Sequence, residues 1–235
     1  MDTQVIYRHR LPVRVMHWIN VVCLFILLGS GLQIFNAHPA LYWGADSRDA
    51  TLLVQLSKFP HWATIPGPQW LALGRVWHFF FAWIFFINGI AYVMWTIFSG
   101  HLRRDLVPTG REWRGIGRSV RDHLVLKHPH GDEAKRYNVL QKLAYLSVIF
   151  VLLPLMVLAG LAMSPRLDTV FTGWVDLFGG RQSARTIHFV AAWLIVAFVA
   201  VHLFEVIVSG LWNNLRSMIT GRYDVKVAGH EAQTH

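Results

Sequence analysis

Four long apolar runs dominate the pattern along the chain: VMHWINVVCLFILLGSGLQIF (15–35), VWHFFFAWIFFINGIAYVMWTIF (76–98), VLQKLAYLSVIFVLLPLMVLAGLAM (139–163) and IHFVAAWLIVAFVAVHLFEVIVSGL (187–211). A bilayer core about 30 Å thick takes roughly 20 residues of helix. Each run is long enough, and the pattern predicts an all-α integral membrane four-helix bundle. The polar stretches between the runs are 36–73, 99–138 and 164–184. A short polar tail, 216–235, follows the last run, and 1–235 reads as a single transmembrane domain. The first run is too long for a cleaved signal peptide, and no small-residue cleavage site follows it. Pro12 suits a helix start, where its missing N–H is not needed. Pro154 is expected to kink the third helix and Pro165 to close it.

Composition agrees with that pattern. Of 235 residues 54% are hydrophobic and only 15% charged, which sets the chain apart from ordinary soluble domains. The single cysteine, Cys23, lies inside the first run. It excludes an internal disulfide, a cysteine-held cluster and a covalent C-x-x-C-H haem attachment. The net charge is +9, and its placement reads as topology. The N-terminus (Arg8, Arg10, Arg14), the 99–138 loop (among others Arg103, Arg104, Arg111, Arg114, Arg118, Arg121, Lys127 and Arg136) and the tail hold fifteen Lys/Arg, against six in the two opposite connections. The positive-inside rule then puts both termini and the 99–138 loop in the cytoplasm of a bacterium, with 36–73 and 164–184 on the outer side of its inner membrane. Membrane lipid is the expected partner of the basic surface, and no nucleic-acid motif is present. The 36–73 segment, rich in Trp, Pro and His, reads both as an interfacial aromatic belt and as a docking surface for an external partner.

Thirteen histidines occur. Those in loops and tails, such as His101, His128, His130 and His235, are assigned nothing. Four lie within the runs: His17, His78, His188 and His202. Ionisable groups at such depth are costly and mark function. With the termini on one side, His17 and His202 share the cytoplasmic level, and His78 and His188 share the outer one. His188 and His202 are fourteen residues apart, nearly four turns, so they lie about 40° apart on one helix face and about 21 Å apart along it. That spacing suits two stacked haems, each held by two imidazoles that close both axial positions on iron. Gly31 lies fourteen residues after His17, at the outer level. Gly89 lies eleven after His78, at the inner level. Each helix thus offers a histidine at one level and a glycine, clearing space for a macrocycle, at the other. R-x-x-H recurs as RVMH, RVWH and RTIH, placing Arg14, Arg75 and Arg185 one turn outward, where they could pair with haem propionates. Glu205, one turn from His202, is a candidate proton carrier for a quinone. Asn20, one turn from His17, is a candidate donor to a quinone carbonyl.

RLPVRVMHW near the start, GRVWHFFFAW opening the second run and H-x13-H in the fourth resemble the bacterial four-helix di-haem cytochrome b superfamily. That group includes b-type subunits of nickel-iron hydrogenase and formate dehydrogenase, thiosulfate-reductase-like cytochrome b and bacterial cytochrome b561. The resemblance covers nearly all of residues 7–215. It implies two haem b groups, one on His17 and His202, the other on His78 and His188, the pairing that depth alone also gives. SGLQIFNAHPALYWG (30–44) resembles the branch associated with periplasmic molybdopterin oxidoreductases. The function implied is electron exchange between quinone and a periplasmic redox protein docked on 36–73 and 164–184. Two alternatives stand beside it: a self-sufficient b561-type superoxide:quinone oxidoreductase, and a haem-free transporter relaying protons through its histidines.

Overall fold

The structure is a computed structural model and describes residues 2–67, 70–124, 139–171 and 173–227. Lys127, His128, His130, Arg136 and His235 lie outside the described residues. In chain order the elements are β1 (Asp2–Tyr7), α1 (Leu11–Phe35), β2 (Ala40–Tyr42), β3 (Leu52–Gln55), α2 (Leu71–Phe98), α3 (Gly110–Arg114), α4 (Ile116–Leu124), α5 (Val139–Ser147), α6 (Leu153–Ala162), α7 (Pro165–Val170), α8 (Arg181–Val208), α9 (Leu211–Thr220) and β4 (Arg222–Val227). Among the described residues four helices are long and apolar enough to cross a membrane: α1, α2, the α5–α6 stretch Val139–Ala162, and α8.

Helix boundaries depart from the apolar runs for local reasons. At the start, α8 reaches back to Arg181 through the polar RQSART, and α2 to Leu71 through LALGR, both continuing the helix beyond the uninterrupted apolar run. At its end α8 stops at Val208, since Gly210 adopts φ +107°, which breaks the helix although the apolar pattern continues into α9. Pro154 has no N–H to donate and crowds the carbonyl four residues back. A π-helical turn, Val148–Leu152, sits immediately before it and widens the third span there. Pro165 does not close that span. The helix has already ended at Ala162, and Pro165 opens α7 with its φ already helical.

The helices bury their polar side chains and expose their large apolar ones. Ser30, Gln33, Asn88, Thr96, Ser183 and Thr186 are buried, whereas Phe25, Val76, Phe80, Trp83, Phe98 and Val201 are exposed. That inversion is what lipid imposes, since helix association in a bilayer rests on small and hydrogen-bonding residues rather than on apolar burial.

The chain forms two compact units. The central unit is Trp18–Ile90 with Val148–Phe198. The described residues of its 36–73 connection form a cap, tied to helix ends by side-chain amides. The Asn36 side chain donates to the Phe59 carbonyl at 2.9 Å and accepts the Phe59 N–H at 2.7 Å. Gln33 donates to the Trp70 carbonyl at 2.7 Å. The β2–β3 hairpin meets the start of α8, where Ser183 Oγ accepts the Gly44 N–H at 2.7 Å and Thr186 donates to the Tyr42 carbonyl at 2.7 Å. Gly180, at φ +112°, lets the chain pass the Gly44 carbonyl, which an added Cβ would meet at 2.5 Å.

The terminal unit is Met1–His17, Ala91–Ser147 and Val199–His235. Residues 216–227 do not form the expected polar tail. They complete α9 and form β4, which pairs antiparallel with β1 from Asp2↔Val227 to Tyr7↔Arg222. An ion pair of 2.5 Å between Arg216 and Asp224 joins α9 to β4. Lys142, only 5% exposed, donates to both Glu112 carboxylate oxygens, at 2.9 and 3.1 Å.

Candidate cofactor site

Each unit brings together one pair of the intramembrane histidines. In the central unit the rings of His78 on α2 and His188 on α8 have centroids 6.2 Å apart and planes 68° apart. In the terminal unit His17 on α1 and His202 on α8 are 6.4 Å apart at 59°. An imidazole nitrogen lies about 1.1 Å from its ring centre and binds a transition metal at about 2 Å, so two imidazoles across one ion have centres about 6.2 Å apart. Both pairs stand at that separation. Two imidazoles supply two of the six donors an octahedral iron takes, and a porphyrin supplies the other four.

Hydrogen bonds in the central pair fix which nitrogen is available. His188 Nδ1 lies 2.8 Å from the Met156 carbonyl, which can only accept, so Nδ1 carries the proton and Nε2 of the neutral ring is bare. Ser30 donates its hydroxyl proton to the Ile26 carbonyl at 2.7 Å. Its oxygen is then left to accept from His78 Nδ1 at 3.1 Å, which gives the same tautomer. A metal-binding histidine is held by such a bond at its other nitrogen. Replacing Ser30 by Ala is therefore expected to weaken haem retention at His78/His188 by about 10–100-fold while leaving the other level intact, as read by haem titration of the apoprotein.

Glycines stand against these rings. A Cβ on Gly31 would meet His78 Cε1 at 3.4 Å, and one on Gly160 would meet His188 Cε1 at 3.2 Å. Gly89 has open space beside it, with nothing within 4 Å of an added Cβ. Gly160, Ser30 and the Met156 carbonyl were not among the residues singled out from sequence. Gly160 could have been, since it lies near the end of the third run, as Gly31 does in the first.

The remaining candidates are placed as follows. The Arg75 guanidinium lies 5.6 Å over the Phe79 ring. Arg185 donates to the His38 carbonyl and lies over Phe35. Arg14 donates to the Ile219 carbonyl at 2.5 Å and lies 6.0 Å over Tyr7. The Asn20 side-chain carbonyl accepts from Asn88 Nδ2 at 2.7 Å, so its own amide N–H groups are the part that could meet a quinone oxygen. Glu205 is half-buried, and Tyr145 lies within electrostatic reach of both it and Arg8. His9, just ahead of α1, is pushed down to about 4, first by burial and then by neighbouring basic groups, Arg8 foremost among them.

Membrane-crossing helices that bring four histidines together as two imidazole pairs fit a b-type membrane cytochrome. The comparisons agree, and the chain belongs to the prokaryotic cytochrome b561 family, whose profile matches residues 8–221. It is 32% identical over 203 residues to a protein of Azospira oryzae named as a protein-methionine-sulfoxide reductase subunit, YedZ1, covering 86% of this chain and 91% of that one. It is 27% identical over 230 residues to a protein of Cupriavidus necator named as a Ni/Fe-hydrogenase B-type cytochrome subunit, covering 92% and 85%. A similarly named Escherichia coli protein is 24% identical over 244 residues, covering 94% of each. The chain is thus a multi-pass membrane protein and a cytochrome b-type electron-transfer subunit, and its family implies haem b.

Proposed function

We propose that this chain carries electrons across a bacterial inner membrane between the quinone pool and a redox enzyme docked on the outer face, by way of two haem b groups. The observation that carries the reading is the recurrence of one geometry at two sites: imidazole pairs 6.2 and 6.4 Å apart, sharing α8 and using a different second helix each time. When bound, bis-imidazole haem b takes up and gives up single electrons with no open position on iron. His78 and His188 would hold the outer haem, and His17 and His202 the cytoplasmic one, with both termini in the cytoplasm. Ser30 and the Met156 carbonyl hold the Nδ1 side of the outer imidazoles and so fix their orientation. Asn20 and Glu205 are the side chains suited to orient a quinone and to accept or release its proton.

The relatives' names bear on the partner. One is named for a methionine-sulfoxide reductase and others for hydrogenases, and both are oxidoreductases that need an electron donor or acceptor. The cap over 36–73, with exposed Trp43, Trp62 and Trp70, and the 164–184 connection, with exposed Phe171 and Leu177, form the proposed docking face. A molybdopterin oxidoreductase is the proposed occupant. The test is a haem-to-chain ratio with a redox titration, followed by addition of quinol to the oxidised protein. Two haems per chain, two midpoint potentials and reduction by quinol are expected. One haem at full occupancy, or none, would overturn the reading.

A further inference from the structure

The terminal unit contains a cavity of about 180 Å³ lined by Arg10, Trp95, His101 and Arg104. Its wall offers two guanidinium groups, an imidazole and an indole, and no carboxylate among the described side chains. Two guanidinium groups converging on one space favour an anion there. Neighbouring cations of the unit are already engaged. Arg14 is held by the Ile219 carbonyl, Arg216 by Asp224 and Lys142 by Glu112, and Arg8 lies 4.3 Å over the Tyr223 ring. Arg104 is fixed in place by donating through Nε to the Gly100 carbonyl at 3.3 Å and through Nη2 to the Ser99 carbonyl, which leaves Nη1 for another acceptor.

Arg10 immediately precedes α1, seven residues before His17. Seven residues are just under two helical turns, so Arg10 lies about 10 Å beyond His17 toward the chain start and about 20° from its direction. Trp95 and His101 close the wall from the end of α2 and the turn after it, with ring centroids 5.3 Å apart. The cavity thus belongs to the unit that holds the His17–His202 pair and lies on the side of His17 nearer the chain end.

Resting on the haem reading above, we propose that Arg10 and Arg104, with His101 beside them, receive the two propionates of the haem ligated by His17 and His202. The R-x-x-H pattern would give that task to Arg14, whose guanidinium is turned instead to the Ile219 carbonyl. Two carboxylates against two guanidinium groups match in charge and in fork geometry.

The test is redox potentiometry of the full-length protein carrying R10Q, R104Q and both, with R10K/R104K as the charge-keeping variant. R103Q serves as a control on an exposed arginine outside the cavity wall. Loss of positive charge beside the propionates favours the ferric form. The double Gln variant should shift the reduction equilibrium of the His17/His202 haem about tenfold toward ferric, a fall of about 59 mV for one electron. The His78/His188 haem, the Lys variant and the R103Q control should stay unchanged. An unshifted double variant that keeps both haems overturns the proposal, with or without loss of a co-purified anionic lipid, and leaves the haem reading standing. An equal shift at both haems also overturns it. An unmodified protein with no haem at His17/His202 would overturn both.

Discussion

His78→Ala and His188→Ala should each yield a protein with one haem b in place of two, and the remaining haem should be the same one in both. Their double variant should lose nothing more. His17→Ala and His202→Ala should each lose the other haem. The expectation follows from the two 6.2–6.4 Å imidazole pairs. On the proposed reading each histidine supplies one of two axial nitrogens, so removing it takes away half of the protein's hold on that iron. The readouts are the haem-to-chain ratio, expected to fall by about half, and the number of midpoint potentials, expected to fall from two to one. Depletion of one shared haem by His17→Ala and His188→Ala would sink the pairing. Retention of both haems in any of the four would show that the altered residue is not a ligand.

The histidine pairs were legible because helix length, helix direction and a fourteen-residue interval fix depth and face without any tertiary information. Lipid enforces those quantities: a span has one allowed length, and alternate spans must run in opposite directions. What the sequence could not give depends on contacts between distant residues. β4 had no signal of its own, because RYDVKV finds its partner in DTQVIY across more than two hundred residues. The composition of 36–73 gives an aromatic belt or a docking surface but not its anchoring, which amides at Gln33 and Asn36 supply at the end of α1. R-x-x-H identified three arginines by spacing, and each guanidinium has a neighbour that spacing could not reveal: a carbonyl for Arg14 and Arg185, an aromatic face for Arg75. Pro154 was correctly marked as a disturbance in the third span. That the helix absorbs it by a widened turn is a property of the backbone, which sequence alone does not choose. Ser30 and Gly160 matter through what lies opposite them, so only the folded chain singles them out.

Glu112→Ala should destabilise the terminal unit strongly. Lys142 is the fourth residue of the third span, and its ammonium is 95% shielded while donating to both oxygens of Glu112. Glu112 also accepts the Thr109 N–H at 2.6 Å, capping α3. Breaking a fully buried ion pair costs about 3–5 kcal/mol, because the surviving charge is stranded. The Glu112 side chain is 28% exposed, so water recovers part of that and about 2–3 kcal/mol is expected. Glu112→Gln keeps one acceptor oxygen, to be shared between the Thr109 N–H and the ammonium, and should cost less than Ala. Lys142→Met in the Glu112→Gln background should restore stability, since no charge is then left buried. The pH dependence has a definite sign. Burial alone would raise the Glu112 carboxyl, but the hydrogen bonds from Lys142 and Thr109 outweigh it and hold it below the usual value of 4.5. The stabilisation is therefore complete above that value and is lost as pH falls through the lower folded-state value, and Glu112→Gln should abolish this acid-side loss. Thermal unfolding in detergent across acidic pH measures both effects. Native-like stability in Glu112→Ala, or no recovery on adding Lys142→Met to Glu112→Gln, would show that the pair does not hold the loop to the third span.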